Sequence, residues 1–92
     1  MDTKERYHPN AYLARRRNVT KGLKARTKIL AVMDRTDALT IKEVSRLALL
    51  SYSSSLHHVR LLEDEEILKR EGKRPYKWKI TGKGQKSLDQ LN

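Results

Sequence analysis

The chain has 92 residues, carries 21 Lys and Arg against 11 Asp and Glu for a formal charge of +10, and contains no cysteine. That length provides one small domain with a modest core and leaves no room for a deeply enclosed catalytic cleft. Without thiols there is neither a disulfide framework nor a thiolate metal site, so the fold must rest on packing alone.

The longest uninterrupted apolar run, Ile29-Leu30-Ala31-Val32-Met33, is far too short to span a bilayer, as is Leu47-Ala48-Leu49-Leu50, and no apolar signal core follows Met1. A cytoplasmic, nucleoid-associated protein is therefore expected. The 35% charged content with few Asn and Gln is of the kind found in thermophiles. The positive charge is concentrated at the front: residues 1–28 hold nine Lys and Arg against two acids, whereas 29–92 hold twelve against nine. Such an excess attracts polyanions, either nucleic acid or anionic lipid, and makes association fast and salt-sensitive. The most basic segment lacks a bulky apolar face, which argues against a membrane-surface helix.

Residues 1–19 form a basic arm, expected to be flexible or part-helical, with only Tyr7, Ala11, Tyr12 and Leu13 available for burial. Pro9 suits the first turn of a short helix. The arm is either a solvated tail or a segment that lies on phosphates or in a minor groove, with Arg15, Arg16 and Arg17 as its contacts. The folded domain is expected over 20–92. Its first helix starts near Thr20, buries Leu23, Leu30 and Met33 with Ile29 and Val32 beside them, and ends near Arg35. A turn at Thr36-Asp37-Ala38 follows, and Leu39 contributes a residue or two to a short strand.

Thr40-Ile41-Lys42-Glu43 fits a capping box and marks a helix start, with Ile41, Val44 and Ala48 pointing inward and Lys42 and Arg46 outward. About two turns later Leu49-Leu50-Ser51 begins the next helix, so that a short helix, a turn and a second helix stand in helix-turn-helix spacing. Ser51 caps that second helix, over about 52–65, and Ser55, Val59 and Leu62 recur at i, i+4 and i+7 as its core stripe. Ser53, Ser54, His57 and Arg60 fall on another face. Solvated helices usually carry Glu and Lys there, so a serine-and-histidine surface reads as a DNA-recognition face.

Tyr76, Trp78 and Ile80 alternate with Lys77 and Lys79, the period of a strand with one wet face, and Gly72 and Pro75 bracket a basic loop. Two strands and that loop make a wing. Trp78 anchors it, and Lys73, Arg74, Lys77 and Lys79 form a basic ribbon suited to phosphates. Thr81 can cap a last helix with Gly84, Leu88 and Leu91 as its stripe.

Over about residues 20–91 this order resembles the winged helix-turn-helix family of bacterial and archaeal regulators. The resemblance is carried by Leu50 to Ser55, by Leu61-Leu62-Glu63 with Ile67-Leu68, and by Arg70 to Trp78 followed by Thr81-Gly82-Lys83-Gly84. It implies an α+β, mainly α fold: a three-helix core, a two- or three-stranded β-wing and a C-terminal helix. Three positions depart from the family pattern. Leu49 and Glu66 stand where glycine is common, so each turn is expected to widen or its helix to run on. Leu56 replaces a polar groove-facing residue and serves as extra core, a thymine-methyl contact or a protein interface.

The expected contacts with double-stranded DNA are Tyr52, Ser53, Ser54, His57 and Arg60 from the recognition helix, Lys73, Arg74 and Lys77 from the wing, and Arg15, Arg16 and Arg17 from the arm. Adjacent histidines on a helix point about 100° apart and cannot share an ion, so no metal or cofactor is expected at His57-His58. Glu63 to Glu66, the acidic run, is either a solvated face or a docking patch for a basic protein partner. No phosphate loop, buried acid pair or nucleophile elbow marks an enzyme.

Three functions compete. A transcriptional regulator reads a sequence; an accessory subunit of a larger complex, such as an archaeal DNA polymerase or a chromatin assembly, reads little. An RNA-binding protein lacks stacking aromatics beyond the arm tyrosines. With only the arm and a short last helix available for self-association, a monomer or weak homodimer is expected.

Overall fold

The structure, a computed structural model, describes residues 7–14 and 16–82. A 3-10 turn at Pro9–Ala11 precedes α1 (Thr20–Met33), α2 (Ile41–Ala48), α3 (Tyr52–Asp64), β1 (Leu68–Glu71) and β2 (Lys77–Ile80). The expected C-terminal helix lies outside the described residues.

The capping box is present: the Glu43 N–H donates to Thr40 Oγ1 at 3.2 Å and the Thr40 N–H donates to Glu43 Oε1 at 2.9 Å. That second bond, with the charged form as acceptor, holds the Glu43 carboxyl below its usual range. α2 is therefore pinned at its first turn, which sets where α3 can begin. α1 stops two residues short of the expected Arg35, where the Asp34 N–H bonds to the Leu30 carbonyl.

The expected widened turns do not form. Leu49 ends α2 in the left-handed region (φ 58°, ψ 45°), and Glu66 takes φ 63° after α3. A left-handed L-residue costs about 1–2 kcal/mol. Hydrogen bonds that straddle each turn offset it: Leu50 N–H to Ser45 O at 3.0 Å, and Ile67 N–H to Leu62 O at 2.9 Å. The tight helix-turn-helix geometry survives without glycine.

The three helices enclose one core. Ile29, Leu30 and Met33 of α1 meet Val44 of α2 and Val59 and Leu62 of α3, with Leu68 and Trp78 closing the wing side. Each fully buried aliphatic side chain contributes about 1.5–3 kcal/mol by leaving water. β1 and β2 pair antiparallel in the register Leu68↔Ile80, Lys69↔Lys79, Arg70↔Trp78 and Glu71↔Lys77. A third strand is reduced to one residue, Leu39, which exchanges both backbone hydrogen bonds with Trp78 at 2.9 and 2.7 Å. The wing is thereby tied to the segment that leads into α2.

The described front segment is seated on the domain rather than projecting from it. Ala11 is fully buried and Leu13 nearly so. The His8 N–H donates to Thr27 Oγ1 at 2.9 Å, and His8 Nε2 lies 3.0 Å from Asp34 Oδ2. Asn18 closes the following turn through the Leu13 N–H at 2.7 Å and the Leu13 carbonyl at 3.0 Å. Of the four apolar residues available for burial on the sequence reading, Ala11 and Leu13 are buried, Tyr7 packs partly buried against the core and Tyr12 stays exposed, with polar partners for the segment supplied by α1 and its C-terminus.

Candidate nucleic-acid interface

α3 begins with the Ser51 side chain accepting the Ser54 N–H at 3.1 Å. Ser55, Val59 and Leu62 are fully buried, which rotates Ser53, His57 and Arg60 to the exposed side of the helix. Ser54 and His58 lie on the flank toward α1, half-buried. Tyr52, Leu56 and Arg60, at i, i+4 and i+8, form the other flank and line a cleft of about 590 Å³ shared with the start of α2 and the wing. Leu56 is half-buried against the core and also borders this cleft.

The register puts Arg70 on the same sheet face as Trp78, turned toward α3. Its guanidinium lies 4.8 Å from the Trp78 ring centroid and 5.2 Å from that of Tyr76. It also donates to both Glu63 carboxylate oxygens at 3.0 Å, a fork that raises its pKa above the ordinary arginine value. Neither Arg70 nor Tyr76 is among the contacts expected from sequence, although both fall in the wing segment. The signal was available: counting back along the β-hairpin pairs position 70 with Trp78.

The remaining basic side chains separate into two groups. Lys73 and Arg74 sit exposed at the wing tip, beside a cis Arg74-Pro75 peptide bond. Lys77 and Lys79 occupy the outer sheet face, where Lys79 pairs with Glu71 at 3.5 Å and Lys77 lies close enough to Glu43 to help lower its pKa. The expected four-charge ribbon is thus partly balanced along the strand and open at the tip. Arg17 is exposed, Arg16 stands 3.5 Å from Asp64 at the end of α3, and Arg15 lies outside the described residues.

Within the acidic run, Glu63 is committed to Arg70 and Asp64 faces Arg16. The Glu66 carbonyl accepts the Thr81 hydroxyl. The run ties α3 to the wing and to the front segment. His57 and His58 meet edge-to-face with centroids 4.9 Å apart. Among the described residues no group of three His, Cys, Asp or Glu could hold a metal ion, and no helix is long and apolar enough to cross a membrane.

Behind the exposed ridge lies a residue that the charge count treats as surface. Arg26, only 2% exposed, donates from Nε to the Ala11 carbonyl at 2.6 Å, from Nη2 to Asn18 Oδ1 at 3.1 Å and from Nη1 to His58 Nδ1 at 3.2 Å. Because arginine has no acceptor, His58 must be the neutral tautomer protonated at Nε2. Burial first, then the charges of Arg26 and His57, push the His58 pKa down to about 4 from its ordinary 6.5. The unfolded chain binds this proton at the higher pH. Stability from this site is therefore complete above about pH 6.5 and is lost as pH falls toward about 4. In His58→Gln, whose amide oxygen can still accept from Arg26, that component of the pH dependence should vanish. Thermal melts of both proteins across this interval check it; parallel curves would contradict the assignment.

The elements define the class: three helices with a helix-turn-helix at their centre and a β-hairpin wing form a winged helix-turn-helix domain. No family model and no curated protein matches the chain. Solved structures do match it. A MarR family transcriptional regulator from Silicibacter pomeroyi DSS is 24% identical with a TM-score of 0.67, covering 74% of this chain and 46% of that one. A second, from Silicibacter pomeroyi, gives 23%, 0.66, 74% and 48%. A third, from Silicibacter pomeroyi DSS-3, gives 20%, 0.62, 70% and 47%. The chain thus spans about half the length of the regulators it resembles, and what it shares with them is the fold.

Proposed function

We propose that this domain binds double-stranded DNA as the reading module of a transcriptional regulator. α3 lies in the major groove, and the wing tip and arm rest on phosphates. The observation that carries this reading is the exposed ridge Ser53, His57 and Arg60, with hydrogen-bonding groups and no acid, beside a cleft edged by Arg60, Arg70 and Arg74. Ser53 and His57, early in the helix, suit base edges; Arg60 suits a guanine edge or a phosphate. Tyr52 and Ser54 flank them. The fold likeness to proteins described as transcriptional regulators supports the same reading.

An accessory subunit needs a surface for its partner, and the acidic run Glu63 to Glu66 is the patch that would serve. Its Glu63 and Asp64 already have basic partners within the chain, which weakens that argument. A monomer or weak homodimer on DNA is part of the proposal.

The wing provides the test. Lys73 and Arg74 are exposed, so replacing both with Ala should change stability by no more than about 0.5 kcal/mol. Duplex affinity should fall for all sequences alike, because phosphate contacts carry no sequence information. Fluorescence anisotropy at fixed salt, beside a thermal melt, checks both. Unchanged affinity would remove the wing from the interface.

A further inference from the structure

Between Glu5 and Asp34 the chain has no acidic residue, yet this stretch holds eight Lys and Arg. Arg26 is buried, and α1 presents Lys21, Lys24 and Lys28 to solvent at i, i+3 and i+7, a single face of the helix. That face has a definite neighbour. The three lysines edge a groove of about 400 Å³ whose far wall is Ser54 and His58, on the α3 flank opposite the wing. The rest of its lining is apolar: Val19, Gly22, Ala25 and Leu50.

We infer that the α1 lysine face is a second phosphate-binding edge, so that α3 enters the major groove between two cationic rails, the wing on one side and α1 on the other. This rests on the DNA-binding reading and extends it to residues on the opposite flank. The chemistry fits a sugar–phosphate strand: the carbon face of deoxyribose can lie against the apolar part of the lining, and flexible lysines beside it can reach the phosphates. The position fits as well. Ser54 lies in the first turn of α3, so a strand bordering the groove that receives that turn passes beside α1.

The test uses Lys21→Gln, Lys24→Gln and Lys28→Gln together, which keeps helix propensity and an unbranched polar side chain while removing charge. Affinity for a mixed-sequence duplex is measured against salt, with wild type and the Lys73→Ala, Arg74→Ala variant in parallel. Each phosphate contact contributes about 0.9 to the slope of log affinity against log salt, so the triple variant should lose about 2–3 of it. Its loss should add to that of the wing variant. In unmodified protein, acetylation of the three lysines followed by mass spectrometry should be slowed by the duplex, a readout independent of any variant's folding.

If wild type binds the duplex and the wing variant loses slope while α1 is neither protected nor sensitive, the second edge is overturned and the DNA reading stands. If wild type shows no salt-dependent duplex binding, both fall. Protection of the α1 lysines by anionic vesicles but not by duplex would also overturn the proposal.

Discussion

Arg26→Met is expected to lower the stability of this domain by about 2–4 kcal/mol, although it removes a charge that burial already disfavours. Two effects oppose each other. Taking the guanidinium out relieves its desolvation, and methionine refills much of the stem volume. Against that, the Ala11 carbonyl, on a fully buried residue, loses its 2.6 Å donor, His58 Nδ1 loses the Arg26 N–H, and Asn18 Oδ1 keeps only the Leu13 N–H. A buried acceptor left without a partner costs about 1–3 kcal/mol. The packing of Ala11 and Leu13 is loosened with it, so the losses prevail. Gly22 marks how closely the guanidinium is fitted, since a Cβ there would lie 2.8 Å from Arg26 Nη1. For a domain of this size the melting temperature should drop by on the order of 10–25 °C. A melt within a few degrees of wild type would mean that the front segment is not held through Arg26.

Trp78→Ala should be at least as damaging, costing about 3–5 kcal/mol as for other buried aromatic truncations. Trp78 is 2% exposed and sits where β2, Leu39 and the Arg70 side chain converge. Without it Arg70 loses a stacking surface, and the inner face of the wing loses its anchor. Stability and duplex affinity should fall together, in contrast to Lys73 and Arg74 at the tip, where affinity alone should change. Chemical denaturation and anisotropy on the same samples separate the two patterns. A Trp78→Ala protein of wild-type stability would show that the wing is not part of the cooperative core.

These outcomes mark what could be read from the chain and what could not. The capping box at Thr40 and Glu43 and the Ser55, Val59 and Leu62 stripe depend on spacings within one helix, so they are legible without the fold. So is the exposure of Ser53 and His57, which follows from the same stripe. Arg26 was not legible: its partners lie 15, 8 and 32 positions away, and a basic residue on an amphipathic helix ordinarily faces water. The turns at Leu49 and Glu66 are not legible either: the local penalty of about 1–2 kcal/mol argues against a left-handed residue, and the closing hydrogen bonds that offset it depend on the folded turn. The acidic run reads in sequence as a solvated face or a docking patch, and its pairing with Arg16 and Arg70 is not legible because those residues come from different parts of the chain.

The central claim is that α3 reads bases, and a selection from random duplexes at fixed salt tests it most directly. A side chain paired to a base edge is worth about 1–3 kcal/mol of discrimination at one position, whereas a phosphate contact affects every sequence equally. Wild type should therefore enrich a defined motif. Ser53→Ala combined with His57→Ala should keep most non-specific affinity and lose that preference, since both side chains are exposed early in α3. If wild type enriches no motif, the regulator reading is contradicted.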